Sequence, residues 1–308
     1  MKKTTKLILG IGALVATPVI INHMISKNAQ ARLPKRLSEN TYNWEYGDIR
    51  YITIGEGEPL LLLHGIYPGA SSVEFKNIAN ELAQDYKVYM PDLLGFGYSD
   101  KPNISYSSYL YVRFINDFVQ DVIGGAAFAV ASLHTAAALA TCAKLNPESF
   151  SKIVLISPTG TCENVDMATD IEVRAKKTLE SPIFGTSIYH ILTSKKGLSE
   201  FFVREGLTAK LDEETLDEFY LSAHAGGIGG KYSAAALLSK LFNTSIKTTL
   251  DELTTPHRII TGSITPNSQL FALWKELGED TAAMMVEDAH LLPHLDKPEE
   301  FLAAFREI

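Results

Sequence analysis

A chain of 308 residues that is 46% hydrophobic and 21% charged can bury one large core or two small ones. Its net charge of −8, with no cluster of Lys or Arg to offset it, argues against nucleic acid as a partner. Cys142 and Cys162 are too few for a disulfide framework and lack the spacing of metal ligands, so we expect free thiols.

The N-terminal residues 1–31 differ in composition from the rest of the chain. Lys2, Lys3 and Lys6 precede an uncharged stretch, 7–26, that is just long enough for a transmembrane helix. A cleaved signal peptide is the alternative, because the run Ala-Gln-Ala at 29–31 has the form of a cleavage site. A buried N-terminal helix is a third interpretation. We therefore predict a membrane anchor or signal peptide, and basic residues on both sides of the stretch leave its orientation open.

Residues 32–308 are predicted to form one domain in which strands alternate with helices. Apolar runs between turn residues predict a hairpin over 42–54 and then strands at 60–63, 88–90, 128–131, 153–156, 258–261 and 283–286. Apolar residues at helical spacing predict helices at 75–82, 111–122, 136–145 and 270–277, and a last helix from Pro298. This alternation indicates a mostly parallel sheet with helices on both faces. Between about 159 and 250 the pattern is mainly helical, which predicts a helical lid over the carboxyl edge of the sheet.

Four segments of this domain carry distinctive motifs, namely LLLHGIYPGASS at 61–72, YMPDLLGFGYSDKP at 89–102, LNPESFSKIVLISP at 145–158 and PHLDKPEEF at 293–301. In this order they resemble the α/β-hydrolase family. The resemblance covers roughly residues 42–308 and implies an α/β-hydrolase fold with an eight-stranded, mostly parallel sheet. It also implies that the loop after the strand at 60–63 binds a substrate oxygen, with the backbone amide of Ile66 facing it. Gly65, Ile66 and Thr135 are therefore expected at the oxyanion site.

The nucleophile of this family lies in a G-x-S-x-G turn between a strand and a helix, where small neighbours relieve the crowding. The corresponding turn here is VASLHTA at 130–136. A frame with Ser132 and Ala136 as the small neighbours places His134 at the nucleophile position, where it is not a credible acyl carrier. The rival frame makes Ser132 the nucleophile, although its flanking residues are then bulky.

The resemblance places the acid of the triad after the strand at 258–261, where this chain has Thr265. Threonine cannot hold an imidazolium as a carboxylate does. In some relatives the acid follows the strand at 153–156 instead, but Ser157 and Pro158 occupy that place. Glu163 lies several residues too far along and is expected to be a solvated lid residue.

The catalytic histidine is expected seven residues before Pro298, and counting back gives Leu291. The neighbouring His290 is the candidate if a deletion and a compensating insertion of one residue, relative to the family's spacing, bring it into that position. His294 belongs to the same motif and is expected to pack or to form hydrogen bonds.

Together these substitutions predict a membrane-anchored member that has lost triad catalysis and binds a small apolar ligand or a partner. The alternative is a serine hydrolase that acts on small acyl compounds through Ser132 and His290. A structural interaction protein, with a closed pocket beneath the lid, is a third hypothesis. No cofactor or metal site is predicted, because there is no G-x-G-x-x-G after a strand, no P-loop and no metal-ligand spacing. The sequence does not indicate an oligomeric state.

Overall fold

The computed structural model describes residues 2–34, 39–161, 167–264 and 283–307, and side chains from residue 17 onward. Within these ranges eight strands form one sheet in the order β1-β2-β4-β3-β5-β6-β7-β8. They are β1 Glu39–Trp44, β2 Gly47–Ile54, β3 Glu58–Leu63, β4 Tyr86–Pro91, β5 Ala127–Ser132, β6 Phe150–Ile156, β7 His257–Gly262 and β8 Ala283–Val286. β2 pairs antiparallel with β1 and β4, and the other pairings are parallel. The predicted α/β-hydrolase fold is confirmed.

Helices flank the sheet on both faces and fill the stretch between β6 and β7. The described helices are α1 Lys2–Ala31, α2 Lys76–Leu82, α3 Ser108–Phe118, α4 Leu133–Leu145, α5 Asp170–Glu180, α6 Phe184–Leu192, α7 Lys195–Arg204, α8 Glu213–His224, α9 Gly230–Leu238, α10 Lys247–Asp251, α11 Pro293–Asp296 and α12 Pro298–Arg306. The helix predicted at 270–277 lies outside the described residues.

The two faces of the sheet bury separate cores. Because side chains alternate along a strand, Leu61 and Leu63 of β3 pack toward α3 and α4, whereas Leu60 and Leu62 pack toward α2 and α12. All four leucines are fully buried. This explains the continuous apolar run in β3, which is typical of a strand covered on both faces.

The helices α5 to α10, residues 170–251, are called here the helical insertion. One contact that fixes it to the sheet is made by Lys101, in the loop after β4. The Lys101 Nζ donates to the carbonyl oxygen of Ala225, at the end of α8, over 2.6 Å, and also to the carbonyls of Gly97 and Ser99. The helical content of this stretch agrees with the predicted pattern, and its action as a lid stays a prediction.

The N-terminal helix α1 packs against the helical insertion through its C-terminal part. The Asn22 Nδ2 donates to Ser187 Oγ of α6 over 3.0 Å, and Ala29 is fully buried. Beyond the end of α1, Arg32 forms an ion pair with Asp217 of α8. Among the described residues no helix is long and apolar enough to cross a membrane. The anchor or signal peptide expected over residues 1–31 stays a prediction.

Candidate functional site

The sharpest turn of the site joins β5 directly to α4. Leu133, the first residue of α4, has φ +53°, a left-handed conformation that a bulky side chain rarely adopts. The strained residue of a strand-to-helix turn is the one whose side chain is presented at the top of the sheet. Leu133 therefore occupies the turn position. The two predicted candidates, Ser132 and His134, lie on either side of it, and neither has the left-handed conformation.

The residues two positions before and after Leu133 explain why neither predicted frame has Leu133 at its centre. They are Ala131, which is small, and Thr135, which is larger than the glycine that the motif expects. Thr135 is accommodated because it is fully buried and its Oγ1 donates to the carbonyl oxygen of His64 over 2.7 Å. This hydrogen bond also ties the first turn of α4 to the loop after β3. Thr135 therefore fixes the position of the loop after β3 relative to α4.

Ser132 points away from the turn toward a buried carboxylate. Its Oγ donates to Glu74 Oε1 over 2.6 Å, and His294 Nε2 donates to the same oxygen over 3.0 Å. The second oxygen, Glu74 Oε2, accepts from the Gly65 backbone N–H over 2.8 Å and from the Tyr67 hydroxyl over 2.7 Å. Ser132, Glu74 and His294 are all fully buried.

This arrangement differs from a nucleophile–base–acid relay. In a relay the histidine accepts the proton of the serine, whereas here Ser132 and His294 both donate to Glu74. Burial raises the pKa of Glu74, but hydrogen bonds from His294, Ser132 and Tyr67 outweigh it and hold that pKa below its ordinary value. The Glu74 carboxylate thus acts as a structural hub that joins four chain segments beneath the turn.

The residue at the predicted position of the catalytic histidine is again a leucine. Leu291 lines the cavity described below, and its backbone N–H donates to the carbonyl oxygen of Gly206 over 3.1 Å. The neighbouring His290 donates from Nδ1 to Asp296 Oδ2 over 2.7 Å, and its backbone N–H donates to the same carboxylate. Among the described residues there is no hydrogen bond between His290 and Ser132. His294, expected to pack or to form hydrogen bonds, bonds to Glu74 and stacks on Phe75.

The structure describes no carboxylate at either of the two places considered for the acid of the triad. Thr265 and Glu163 lie outside the described residues. Ser157 follows β6 and shares a 2.9 Å hydrogen bond with Thr261 Oγ1 of β7. The described part of the chain therefore gives neither position a carboxylate.

The loop after β3 approaches the turn closely. A Cβ on Gly65 would lie 2.9 Å from Ser132 Oγ and 3.1 Å from Leu133 Cδ1, so glycine is needed there. The His64 ring fixes the loop, because its Nε2 accepts from the Leu93 backbone N–H over 3.0 Å. Ile66 lines the cavity, whereas the Gly65 N–H donates to Glu74. The oxyanion role of Ile66 stays a prediction.

A cavity of about 490 Å³ lies between the turn and the helical insertion. Its size is typical of sites for small ligands. Both leucines of the expected catalytic positions, Leu133 and Leu291, line it. Its other apolar lining includes Ile66, Leu179, Leu192, Phe201, Leu207 and Leu237.

His134 contributes a polar group to this cavity. Its Nδ1 is fully enclosed and has no hydrogen-bond partner, while the ring bonds to the Asn243 side chain. Burial lowers the pKa of His134 to about 4, and the bond to Asn243 offsets only part of that effect. His134 is therefore neutral near neutral pH.

The comparisons with known proteins agree with this geometry. A family model described as the alpha/beta hydrolase fold matches residues 58–181. The described residues therefore have the α/β-hydrolase fold, and the family model matches within it.

A segment of 74 residues is 38% identical to a 2-hydroxy-6-oxo-6-(2'-aminophenyl)hexa-2,4-dienoic acid hydrolase from Metapseudomonas resinovorans. The match covers 24% of this chain and 26% of that relative, so it spans only about a quarter of the relative's length.

Solved α/β-hydrolase structures match over much more of the chain. A serine hydrolase involved in carbazole degradation has a TM-score of 0.71 and 20% identity, over 87% of this chain and 97% of that one. A membrane phospholipase A, described as a bacterial virulence factor, has a TM-score of 0.69 and 18% identity, over 100% of this chain and 97% of that one. At these identities the likeness shows the fold alone.

Sequence reasoning missed the carboxylates that hold this α/β-hydrolase site together. Glu74 and His294 are separated by 220 positions, so no local pattern links them. The one available signal is an acidic residue inside an otherwise apolar and small-residue segment, GASSVEF at 69–75. Asp296 was likewise missed, although its position six residues after His290 is within reach of a local turn.

Proposed function

We propose that this chain binds a small apolar or acyl compound in the cavity between the turn and the helical insertion, without serine–histidine–acid catalysis. The observation that carries the proposal is the pair of leucines at the cavity wall. Leu133 occupies the strained turn and Leu291 the expected histidine position. A leucine side chain has neither a nucleophilic lone pair nor a transferable proton, so neither position supports acyl transfer.

The partners of the remaining polar candidates support the same conclusion. The Ser132 hydroxyl donates to Glu74, whose carboxylate also accepts from His294. The His290 ring is held by Asp296. A serine needs a base within hydrogen-bond reach to become a nucleophile, and neither histidine accepts its proton.

The experiment is turnover of short-chain p-nitrophenyl esters by the full chain beside Ser132→Ala and His290→Ala variants. We expect no hydrolysis above the background of the variants, in samples whose folding is verified by thermal unfolding. Turnover that is lost in both variants would contradict the proposal and establish a serine hydrolase instead.

The second candidate is a hydrolase of small acyl compounds that uses Ser132 and His290. Two observations favour it, namely the hydrolase names of the relatives and the hydrogen bond between His290 and Asp296. A carboxylate that holds an imidazole in one orientation is what a general base requires. This candidate needs the Ser132 hydroxyl to leave Glu74 and reach His290, so the two variants above would lose activity together.

We also propose that α1 holds the chain at a membrane. Support comes from Lys2, Lys3 and Lys6 before an apolar stretch, and from large apolar side chains at Val19, Ile20 and Met24 that are 46%, 58% and 57% exposed. The likeness to the membrane phospholipase A also extends over the whole chain. Retention of the expressed chain in membranes after alkaline carbonate extraction is the expected result.

Release into the soluble fraction would contradict this anchoring proposal. A mature N-terminus after residue 31, measured by mass spectrometry, would instead support the signal-peptide alternative.

A further inference from the structure

Two residues of the cavity wall each carry a polar side-chain atom that lacks a hydrogen-bond partner. His134 Nδ1 and Thr159 Oγ1 are both buried without a hydrogen-bond partner, and both residues line the cavity. The Thr159 backbone N–H lies 3.4 Å from the carbonyl oxygen of Leu133, which places this residue beside the strained turn. Both residues therefore lie at the turn end of the cavity.

Leaving such groups unpaired is energetically costly. A buried donor or acceptor without a partner costs about 1–3 kcal/mol, which a ligand recovers if it supplies the missing hydrogen bond. Because the His134 ring bonds to Asn243 through its other nitrogen, Nδ1 is a donor in one neutral tautomer and an acceptor in the other. A threonine hydroxyl both donates and accepts. A ligand hydroxyl, which also does both, matches these two atoms in either tautomer.

The charges around the cavity disfavour an anionic head group. Lys240 lies 3.1 Å from Glu172, and Arg204 lies 2.9 Å from Glu205, so both cations that line the cavity are already paired. Burial keeps His134 neutral, because it lowers the pKa of the ring to about 4. A carboxylate placed beside His134 and Thr159 would therefore lose its hydration without gaining a counter-charge, which is strongly unfavourable.

We infer that the ligand is a neutral amphiphile, an apolar chain that ends in a hydroxyl held by His134 and Thr159. This inference rests on the proposed function, since it names the chemical class of the ligand for the same cavity. The chain of the ligand would lie along the leucine and phenylalanine side chains of the cavity wall, and its hydroxyl would lie at the turn end.

The test compares three ligands of equal chain length, decanol, decane and ionised decanoate at pH 8, on the full chain. Binding is measured by displacement of N-phenylnaphthylamine, a neutral apolar dye. One hydrogen bond to a neutral group is worth about 0.5–1.5 kcal/mol, so two predict decanol binding roughly tenfold or more tighter than decane. Decanoate should bind more weakly than decanol by at least about tenfold.

Two variants test whether His134 and Thr159 cause the preference for decanol. His134→Phe and Thr159→Val should each reduce the ratio of decanol affinity to decane affinity by about threefold to tenfold. Thr255→Val is the matched control, because the Thr255 Oγ1 is also buried and unpaired but the residue does not line the cavity. This control should keep the full preference.

Equal binding of decanol and decane, tightest binding of decanoate, or a preference that survives in both site variants would each overturn the inference. Those results leave the proposed function standing, since the cavity would still bind an apolar compound. Failure of all three ligands to bind a folded chain would contradict the proposed function as well.

Discussion

Replacement of Glu74 by glutamine should lower the free energy of unfolding by about 3–5 kcal/mol. The fully buried carboxylate accepts from Gly65 and Tyr67 on one oxygen and from Ser132 and His294 on the other. Glutamine keeps the shape and one acceptor oxygen, but its NH₂ group must face one of these two pairs of donors. The hydroxyl of that pair can turn to accept from the NH₂ group, but the N–H donor of the pair is left facing it, and the remaining hydrogen bonds lose their charged acceptor.

The assay is equilibrium unfolding in urea, followed by tryptophan fluorescence, with Glu81→Gln as the matched control. Glu81 lies on the neighbouring helix α2 and pairs with Arg306 at the surface, 2.6 Å away, so its replacement should cost less than about 1 kcal/mol. A loss of 3–5 kcal/mol is a large part of the 5–15 kcal/mol that stabilises an ordinary domain. A Glu74→Gln variant within about 1 kcal/mol of the parent would refute the view of Glu74 as a structural hub.

The pH dependence of the free energy of unfolding tests the role of Glu74 a second time. Because the folded-state pKa lies below the ordinary value, the stabilisation is present above the ordinary carboxyl pKa and is lost as the pH falls through the folded-state pKa. The stability difference between parent and Glu74→Gln should therefore shrink in acid. A difference that stays constant would contradict the lowered pKa.

Three further predictions address other parts of the site. Since burial lowers the pKa of His134 to about 4, only the unfolded chain binds a proton there between pH 6.5 and 4, so stability should fall by roughly 3 kcal/mol over that range. Urea unfolding of His134→Phe should lack this part of the decline, and an identical pH profile would contradict it. Lys101→Met should speed amide hydrogen exchange near Ala225, because the ammonium group no longer holds the end of α8, and unchanged exchange would count against that role. Gly65→Ala should cost about 1–3 kcal/mol, because its Cβ would lie 2.9 Å from Ser132 Oγ, and an unchanged melting temperature would show that the loop relaxes freely.

The sheet could be predicted from the sequence because its strands are covered on both faces. A covered strand must be apolar throughout, so the runs at 60–63 and 153–156 marked the inner strands β3 and β6 directly. The four motifs supplied the eight-stranded, mostly parallel sheet through the family resemblance. Helices that pack on such a sheet have one apolar stripe, which marked α2 and α3 as well.

The site could be predicted only in outline, because its geometry depends on single-residue register and on distant contacts. The expected frame at the turn relied on small neighbours, and Thr135 is a larger residue that fits only through its bond to His64. The position of Leu133 follows from backbone dihedral angles, which residue size alone does not reveal. The link from Glu74 to His294 joins segments that only the complete fold brings together.

The measurement that tests the central claim most directly is the intact mass of the chain after incubation with a fluorophosphonate, a reagent that labels activated serines. No adduct is expected, because Leu133 occupies the turn and the Ser132 hydroxyl donates to Glu74. An adduct that maps to Ser132 and is absent from the Ser132→Ala variant would contradict it and establish covalent catalysis.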